Sequence, residues 1–421
     1  MMRWAALFLW SGLVINSKNK CLKKQRMIKK QNRKSSLLHI IVVLVCAVKF
    51  TYGQDIAITH GPFIQYLTDN SVVVNWSASV DCVSWVEYYE EDGSNFYQKE
   101  RLKVFSATGG LKNIGKPHSV TINGLKPRTK YAYRIYSQAV TEEGDLGKIA
   151  ATRVYKKQPL YFTTLDREKE QTSCVVLSDM HENGPKVGLL LNNVEWNKTD
   201  FVLLNGDFVN NATGEEAIYS VLDTCVAIFA KEKPLYIVRG NHETRGAAAR
   251  ELDTYFHFPQ KEYYYTFSSG TTFFIVLDSG EDKPDSDMEY SGMADFDLYR
   301  SNQAQWLSEV VASDAFKNAK QKIVFMHIPP FSKKEGNEWH GDLEVRKKFM
   351  PILNKVDIDL MVCGHKHSYS VIPRSQGRNN FPIMVVDHES RVDLLIDKSG
   401  ISAKRFDMDS KLVSDLFFGS K

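Results

Sequence analysis

The chain has 421 residues, of which 43% are hydrophobic and 25% are charged, and its formal net charge is +4. These values are ordinary for globular proteins, and the length leaves room for two or three domains with sizeable cores. Because no basic stripe accompanies the small positive charge, nucleic acid is not an expected partner.

The N-terminal segment, residues 1–53, has the layout of a signal peptide. A basic block at residues 29–34 precedes an apolar run, Leu37–Val48, and small residues follow at Thr51–Gly53. The run is shorter than the ~20 apolar residues that a membrane span needs. We therefore expect an exported protein, periplasmic or secreted, with no stable membrane span after processing. An uncleaved N-terminal anchor is the alternative, and Met27 is an alternative start.

Residues 54–168 have the pattern of short strands and turns. The stretches SVVVNWSA (Ser71–Ala78) and SWVEYYEEDG (Ser84–Gly93) are rich in β-branched and aromatic residues, and no stretch has helical periodicity. Strands at this spacing predict an all-β sandwich. The sequence GLKPRTKYAYRI resembles the L-x-P-x-T-x-Y stretch of fibronectin type III domains, and that resemblance implies a structural, corner position for Tyr131.

In residues 169–421, short apolar runs alternate with helical patterns, which predicts an α/β domain. Thr213 and Glu216 have the spacing of a capping box in front of a long apolar helix. Periodicity predicts the remaining elements, which are amphipathic helices over 295–313 and 342–356 and a hairpin over 263–280.

Five apolar runs of this α/β region end in residues that can bind metal. Side chains that follow the strands of an open α/β sheet lie beyond its carboxyl edge, so we expect these residues to meet there. His365 and His367 are two positions apart, and such residues project to the same side of a strand. The side chains at the five ends are Asp179, His181, Asp207, Asn241, His242, His327, His365 and His367.

These blocks resemble the motifs of the calcineurin-like metallophosphoesterase family. They stand here as D-x-H at 179–181, G-D at 206–207, G-N-H-E at 240–243, a strand-end His327 and G-H-x-H at 364–367. The resemblance implies a four-layer αββα domain. With the β-sandwich ahead of it, the chain is similar to the two-domain layout of the purple acid phosphatases.

The resemblance also implies two divalent metal ions, Mn, Fe or Zn, which are metals that such ligands suit. The ligands implied for the first ion are Asp179, His181, Asp207 and His367. The ligands implied for the second ion are Asp207, Asn241, His327 and His365. Asp207 would bridge the ions, and a bridging hydroxide would attack a small phosphate ester. His242 would be catalytic, as an acid or a transition-state donor, or else a structural histidine; Glu243 would orient an imidazole.

Two more residues are candidates for substrate binding. Arg245 follows the G-N-H-E block and could hold a phosphate oxygen, and His340 lies in a loop after His327. A surface arginine and an ordinary histidine are the alternative interpretations.

The expected function is that of a phosphomonoesterase. A phosphodiesterase or nuclease is the alternative among enzymes, and a non-catalytic surface-binding protein is the alternative outside them. None of the implied ligands is missing, which favours an enzyme. One departure from the purple acid phosphatases stands out. Their D-x-G and G-D-x-x-Y blocks are replaced here by blocks with His181 and Asn210, so no metal-bound tyrosinate is expected.

Overall fold

This computed structural model describes residues 56–98, 100–142, 148–154, 158–260, 262–333, 336 and 338–419. The predicted signal peptide, residues 1–53, lies outside the described residues. Within them, no helix is long and apolar enough to cross a membrane.

The N-terminal region is built from nine strands, and its described residues contain no helix. The strands are β1 (Ile58–Gln65), β2 (Ser71–Glu90), β3 (Leu102–Phe105), β4 (Ala107–Thr108), β5 (Leu111–Lys112), β6 (Ile114–Asn123), β7 (Lys130–Glu142), β8 (Lys148–Val154) and β9 (Leu160–Thr163). Seven of them form one connected sheet, and β4 pairs with β5 in a separate hairpin.

The long strand β2 organises this region. The sequence suggests two separate stretches, but the structure joins them because no glycine or proline interrupts the chain between Ala78 and Ser84. The first half of β2 pairs with β1 and β6, and the second half pairs with β3 and β7. Trp76 and Val86, from the two halves, are buried in the same apolar cluster.

Tyr131 lies at the start of β7 and is buried. Its hydroxyl accepts a hydrogen bond from the main-chain nitrogen of Lys126 at 2.9 Å. A tyrosine that bonds the backbone a few residues upstream fixes the approach of the chain to its strand, so the role of Tyr131 is structural, as predicted.

The rest of the chain forms two six-stranded sheets. The first sheet contains, in spatial order, β12 (Leu235–Val238), β11 (Phe201–Asn205), β10 (Thr172–Leu177), β19 (Ser390–Asp397), β20 (Gly400–Asp407) and β21 (Leu412–Gly419). The second contains β13 (Tyr265–Ser269), β14 (Thr272–Leu277), β15 (Gln321–Met326), β16 (Leu360–Cys363), β18 (Ile383–Val385) and β17 (Ser370–Ile372). Strands β10, β11 and β12 are mutually parallel, as are β14, β15, β16 and β18.

Six α-helices accompany the sheets in the described part of the chain. They are α1 (Gly184–Leu190), α2 (Glu215–Ile228), α3 (Leu252–Tyr255), α4 (Phe296–Ala312), α5 (Asp314–Asn318) and α6 (His340–Leu353). Short 3-10 turns cover His242–Thr244, Ala247–Glu251 and Met288–Tyr290.

Alternate side chains of the second sheet pack in opposite directions. Phe325 shares an apolar cluster with Val176 of the first sheet. Its neighbour Val324 belongs instead to a cluster that contains Leu307 of α4 and Val345 of α6. Both faces of these parallel strands are therefore buried. This explains why their sequences are continuous apolar runs and do not alternate between apolar and polar residues.

The predicted helices over 295–313 and 342–356 and the hairpin over 263–280 are confirmed as α4, α6 and β13–β14. The predicted capping box before α2 is wrong. The N-cap is Gly214, without a side-chain cap, and the helix begins at Glu215. The carboxylate of Glu215 accepts a short hydrogen bond from Ser77 of β2, so this helix end is fixed by contact with the N-terminal region.

Candidate metal centre

The candidate ligands follow strands of both sheets. Three of the five strand ends belong to the first sheet (β10, β11 and β12) and two to the second (β15 and β16), whereas the sequence suggested the edge of a single sheet. Hydrogen bonds join the ends of the two sheets. The main-chain nitrogen of His365, after β16, donates to Oδ1 of Asp179, after β10, at 3.1 Å. Nδ1 of His327, after β15, donates to the main-chain oxygen of Asn205, at the end of β11, at 2.7 Å. The carboxyl edges of the two sheets thus meet at one place.

A first group of side chains offers ligand atoms that all lie within 4.8 Å of one another. The group consists of Asp179, His181, Asp207 and His367. The Nε2 atoms of His181 and His367 are 3.2 Å apart, and His367 Nε2 is 3.3 Å from Asp179 Oδ1. This is the set that the sequence motifs imply for one metal ion.

A second group contains Asp207, His327 and His365 within the same limit of 4.8 Å. His327 Nε2 lies 3.0 Å from Asp207 Oδ2. The side-chain oxygen of Asn241 lies 3.0 Å from Nδ1 of His365, so the amide also reaches this group. Asp207 belongs to both groups, and its two carboxylate oxygens allow it to serve two cations.

The environment of His327 fits a metal ligand. Its Nδ1 donates to the main-chain oxygen of Asn205 at 2.7 Å, which directs Nε2 towards Asp207. Nε2 is buried and, apart from its contact with Oδ2 of Asp207, has no hydrogen-bond partner among the described residues. Metal-binding histidines are typically held in this way, by a hydrogen bond from the other ring nitrogen.

The charges suit a cation as well. Burial disfavours the imidazolium, but the carboxylate of Asp207 raises the pKa of His327 to about 10. Burial alone would raise the pKa of Asp207, yet the charge and hydrogen bond of His327 hold it well below the usual range. A divalent ion would replace the proton on His327, because metal binding requires deprotonated ligands. Burial and the His327 charge lower the pKa of His365 to about 3, so this imidazole is neutral.

The backbone is strained at these positions. Left-handed φ angles occur at Asp179 (60°), His181 (46°), Asp207 (53°), His365 (70°) and His367 (51°). Such conformations are costly for residues other than glycine and concentrate at functional sites. His365 and His367 were expected to project to the same side of a strand, and this is wrong. Strand β16 ends before the two histidines, and the turn that follows directs each of them to a different group.

Two glycines of the motifs allow the strand ends to approach closely. A Cβ atom at Gly206 would lie 2.3 Å from Nδ1 of His327, and one at Gly364 would lie 1.9 Å from Oγ of Ser178. Ser178 itself donates to Oδ2 of Asp179 at 2.6 Å. Ser178 was not among the residues predicted for the site, and its only signal in the sequence is its position directly before Asp179.

His242 lies beside the two groups without joining either. Its Nδ1 donates to the main-chain oxygen of Asn210 at 2.5 Å, and its Nε2 lies 3.9 Å from Oδ2 of Asp207. The ring packs edge-on against His181, with centroids 4.8 Å apart. The imidazole is partly exposed, with 28% of its side-chain surface accessible. It can therefore present Nε2 to a molecule bound at the centre.

Glu243 orients the backbone and not an imidazole, in contrast to our expectation. Its carboxylate is buried and accepts hydrogen bonds from the main-chain nitrogens of Asp207 at 2.9 Å, Gly240 at 2.7 Å and Val209 at 3.2 Å. Burial and the Asp207 charge raise the pKa of Glu243 to about 7.

Arg245 and His340 lie outside both groups. The guanidinium of Arg245 donates to both oxygens of Glu281, at 2.7 and 2.8 Å. The Nε2 of His340 is 2.9 Å from a carboxylate oxygen of Asp297. Both side chains therefore already have anionic partners within the protein.

Two family models match the chain. Residues 172–369 match the calcineurin-like phosphoesterases, and residues 62–155 match the N-terminal domain of purple acid phosphatases. Among solved structures, a structure of PhoD has a TM-score of 0.53 at 12% identity, with 85% of this chain and 93% of that chain covered, which is a likeness of fold.

Curated relatives are distant. An uncharacterized protein of Mycobacterium tuberculosis is 26% identical over 272 residues, 59% of this chain and 49% of that protein. This chain thus spans about half the length of that relative. A probable glycerophosphodiester phosphodiesterase of Arcobacter nitrofigilis is 25% identical, and the match covers 53% of this chain and 71% of that protein. Purple acid phosphatase 21 of Arabidopsis thaliana is 23% identical, and the match covers 72% of this chain and 63% of that protein.

Proposed function

Because this chain carries a calcineurin-like phosphoesterase domain behind a purple acid phosphatase N-terminal domain, we propose that it hydrolyses phosphate esters with two metal ions. The observation that carries the proposal is the position of Asp207, whose carboxylate belongs to both groups of candidate ligands. Two divalent ions held there would supply a nucleophilic hydroxide at neutral pH and neutralise charge on the phosphoryl group.

The side chains have separate tasks in this proposal. Asp179, His181, Asp207 and His367 hold one ion, and Asp207, Asn241, His327 and His365 hold the other. His242 keeps a proton on Nδ1 through its bond to Asn210 and presents Nε2 to the reacting oxygens. With a second proton on Nε2, the ring would act there as an acid or a donor in the transition state. Two cations of +2 and two aspartates leave the centre positive, which suits an anionic ester.

The substrate class is proposed to be small phosphomonoesters. The similarity to a protein named as a phosphodiesterase makes small diesters the alternative. A nuclease is a weaker alternative, because the chain lacks a basic stripe for a polymeric backbone. A non-catalytic surface-binding protein is a further alternative, although the described residues include every ligand that the motifs imply.

We further propose that residues 1–53 are a signal peptide and that the protein is exported. The proposed domains are residues 54–168, a fibronectin type III-like sandwich, and residues 169–421, a four-layer αββα domain. In support, β9 ends at Thr163 and β10 begins at Thr172, so a short connection separates the two regions.

The test is a metal analysis followed by a substrate panel. The purified protein is stripped with a chelator and reloaded separately with Mn, Fe or Zn. Turnover is then measured on matched phosphomonoesters and phosphodiesters of the same alcohol. We expect two bound equivalents and higher kcat/KM on the monoesters. Two equivalents with turnover of diesters alone would favour the phosphodiesterase. Loaded protein without turnover on either class would contradict the enzymatic proposal.

A further inference from the structure

The turn that follows β16, residues 364–367, carries both histidines of the G-H-x-H block. His367 belongs to the first group of candidate ligands and His365 to the second, so the geometry of this one turn affects both ions. A carboxylate ligand holds part of it, because the main-chain nitrogen of His365 lies 3.1 Å from each side-chain oxygen of Asp179.

A second carboxylate holds the same turn through Lys366, the residue between the two histidines. The ammonium nitrogen of Lys366 lies 2.9 Å from both side-chain oxygens of Asp342. Asp342 is in the first turn of α6 and is only 1% exposed. Among the residues that the structure describes, Lys366 is the one cation that forms an ion pair with it. Because a buried charge is costly without its partner, this pair is a strong constraint on the turn.

Asp342 is itself firmly placed. Its Oδ2 accepts a hydrogen bond from the main-chain nitrogen of Trp339 at 2.8 Å, at the beginning of α6. The N-terminal end of a helix also favours negative charge. Further along the same helix, Val345 and Phe349 are buried in the apolar cluster beside the second sheet. The pair therefore connects the turn to a helix that is fixed in the core.

The conformation of the turn requires such support. The φ angles of His365 and His367 are 70° and 51°, and strained conformations of this kind persist only where the surrounding structure holds them. Gly364 has no side chain, and both histidines are candidate ligands. Lys366 thus provides the only side chain of the turn that is free to anchor it.

We propose that Lys366 and Asp342 are a positioning pair for the metal centre, which holds the two histidines in the orientations that the two ions require. The proposal rests on the proposed two-metal function and adds residues to which the motifs assign no role. Side chains that hold metal ligands in place typically contribute about 10- to 100-fold to metal affinity. Because His367 serves one ion and His365 the other, loss of the pair should weaken the binding of both.

The test measures the affinities of both ions by competition with a chelator. Lys366→Met removes the charge and keeps an unbranched side chain, and both dissociation constants should rise by about 10- to 100-fold. Lys366→Arg keeps a cation that can pair with a carboxylate, and it should retain most of the affinity. The control is Lys348→Met, which removes another lysine–carboxylate pair of α6, with Glu344 at 2.7 Å, and should leave both affinities unchanged.

A double variant separates positioning from stability. Lys366→Met alone leaves the buried carboxylate of Asp342 unpaired and should lower the Tm of the metal-free protein. Lys366→Met combined with Asp342→Asn removes both charges, so the Tm should recover. The affinities should remain low, because the turn is still without its anchor. Recovery of affinity together with Tm, parental affinity in Lys366→Met, or an equal loss in Lys348→Met would overturn the proposal.

If the parent protein binds no metal, the proposed function fails, and the anchoring of the turn is tested by hydrogen exchange of the main-chain amides of residues 364–367. Exchange reports local opening of the backbone. It should be about tenfold faster in the double variant than in the parent protein and unchanged in Lys348→Met. Equal rates in the parent protein and the double variant would show that the pair does not hold the turn.

Discussion

The carboxylate of Glu243 holds the backbone of Asp207, with 2.9 Å between Oε2 of the first residue and the main-chain nitrogen of the second. The same oxygen accepts from Gly240 at 2.7 Å. One buried carboxyl group thus ties the turn after β11 to the turn after β12. Because Asp207 is shared by both ligand groups, the geometry of the whole centre depends on a residue that is not itself a proposed ligand.

Glu243→Ala should therefore destabilise the protein and weaken metal binding together. Three buried main-chain donors would lose their acceptor, at a cost of about 1–3 kcal/mol each. Glu243→Gln keeps one acceptor oxygen and should have an intermediate effect. Thermal unfolding with and without metal measures this. A Glu243→Ala protein with the parental Tm and two bound metals would show that the contact is dispensable.

Asp207→Asn should lose both metal equivalents, because an amide offers one neutral oxygen in place of a carboxylate shared between two sites. Asp179→Asn should weaken one equivalent more than the other, since Asp179 belongs to one group only. Elemental analysis after dialysis gives the stoichiometry, with the exposed Asp415→Asn as a control that keeps two equivalents. Two full equivalents in Asp207→Asn would disprove the bridging assignment.

His242→Ala should keep both metals and lose turnover. The imidazole lies next to the groups without belonging to them, and a single positioned acid or base contributes ~10²–10⁴ in rate. The metal content and kcat of the variant are measured on the same sample. If kcat stays within a few-fold of the parent value, or if the metals leave, His242 has a structural role instead.

The metal-loaded protein should lack a visible tyrosinate-to-iron band. The residues in the two groups and Asn241 supply carboxylate, imidazole and amide donors, and Asn210 stands where the purple enzymes have tyrosine. With divalent ions, activity should be highest near neutral or mildly alkaline pH, because such ions lower the pKa of bound water only to ~7. The visible spectrum and the pH profile of kcat test this. A purple colour or an acidic optimum would contradict it.

Stability should fall in mild acid partly because of His118 in β6. Its side chain is buried near Trp76, with ring centroids 5.4 Å apart, and burial lowers the pKa of His118 to about 4. Between pH 6.5 and 4 the unfolded chain binds a proton at this residue that the folded protein does not. The contribution of His118 to the free energy of unfolding is complete above pH 6.5. It decreases towards pH 4, by about 3 kcal/mol in total.

His118→Phe removes this titration and should flatten the dependence of unfolding free energy on pH in that interval. Urea unfolding of both proteins at pH 7, 6, 5 and 4 gives the difference between the two curves. Parallel curves would show that His118 does not contribute to acid sensitivity.

Local patterns in the sequence were sufficient to predict the two regions and the candidate metal ligands. Period-two patterns before residue 165 and alternating apolar runs after it reflect local burial, which the sequence encodes directly. The polar residues at the strand ends were recognisable for the same reason, since each motif is a short local segment. The corner position of Tyr131 was also visible in a local motif.

How these segments combine depends on contacts between distant parts of the chain, which local patterns do not reveal. Which strands belong to which sheet depends on pairing between distant residues, so the division of the site between two sheets was missed. The N-terminus of α2 was misplaced: the helix begins at Glu215 after Gly214, and Glu215 contacts Ser77, 138 positions away. Likewise, the partners of Glu243, Arg245 and His340 are set by packing across the fold, where charge and burial, and not sequence spacing, determine which groups meet.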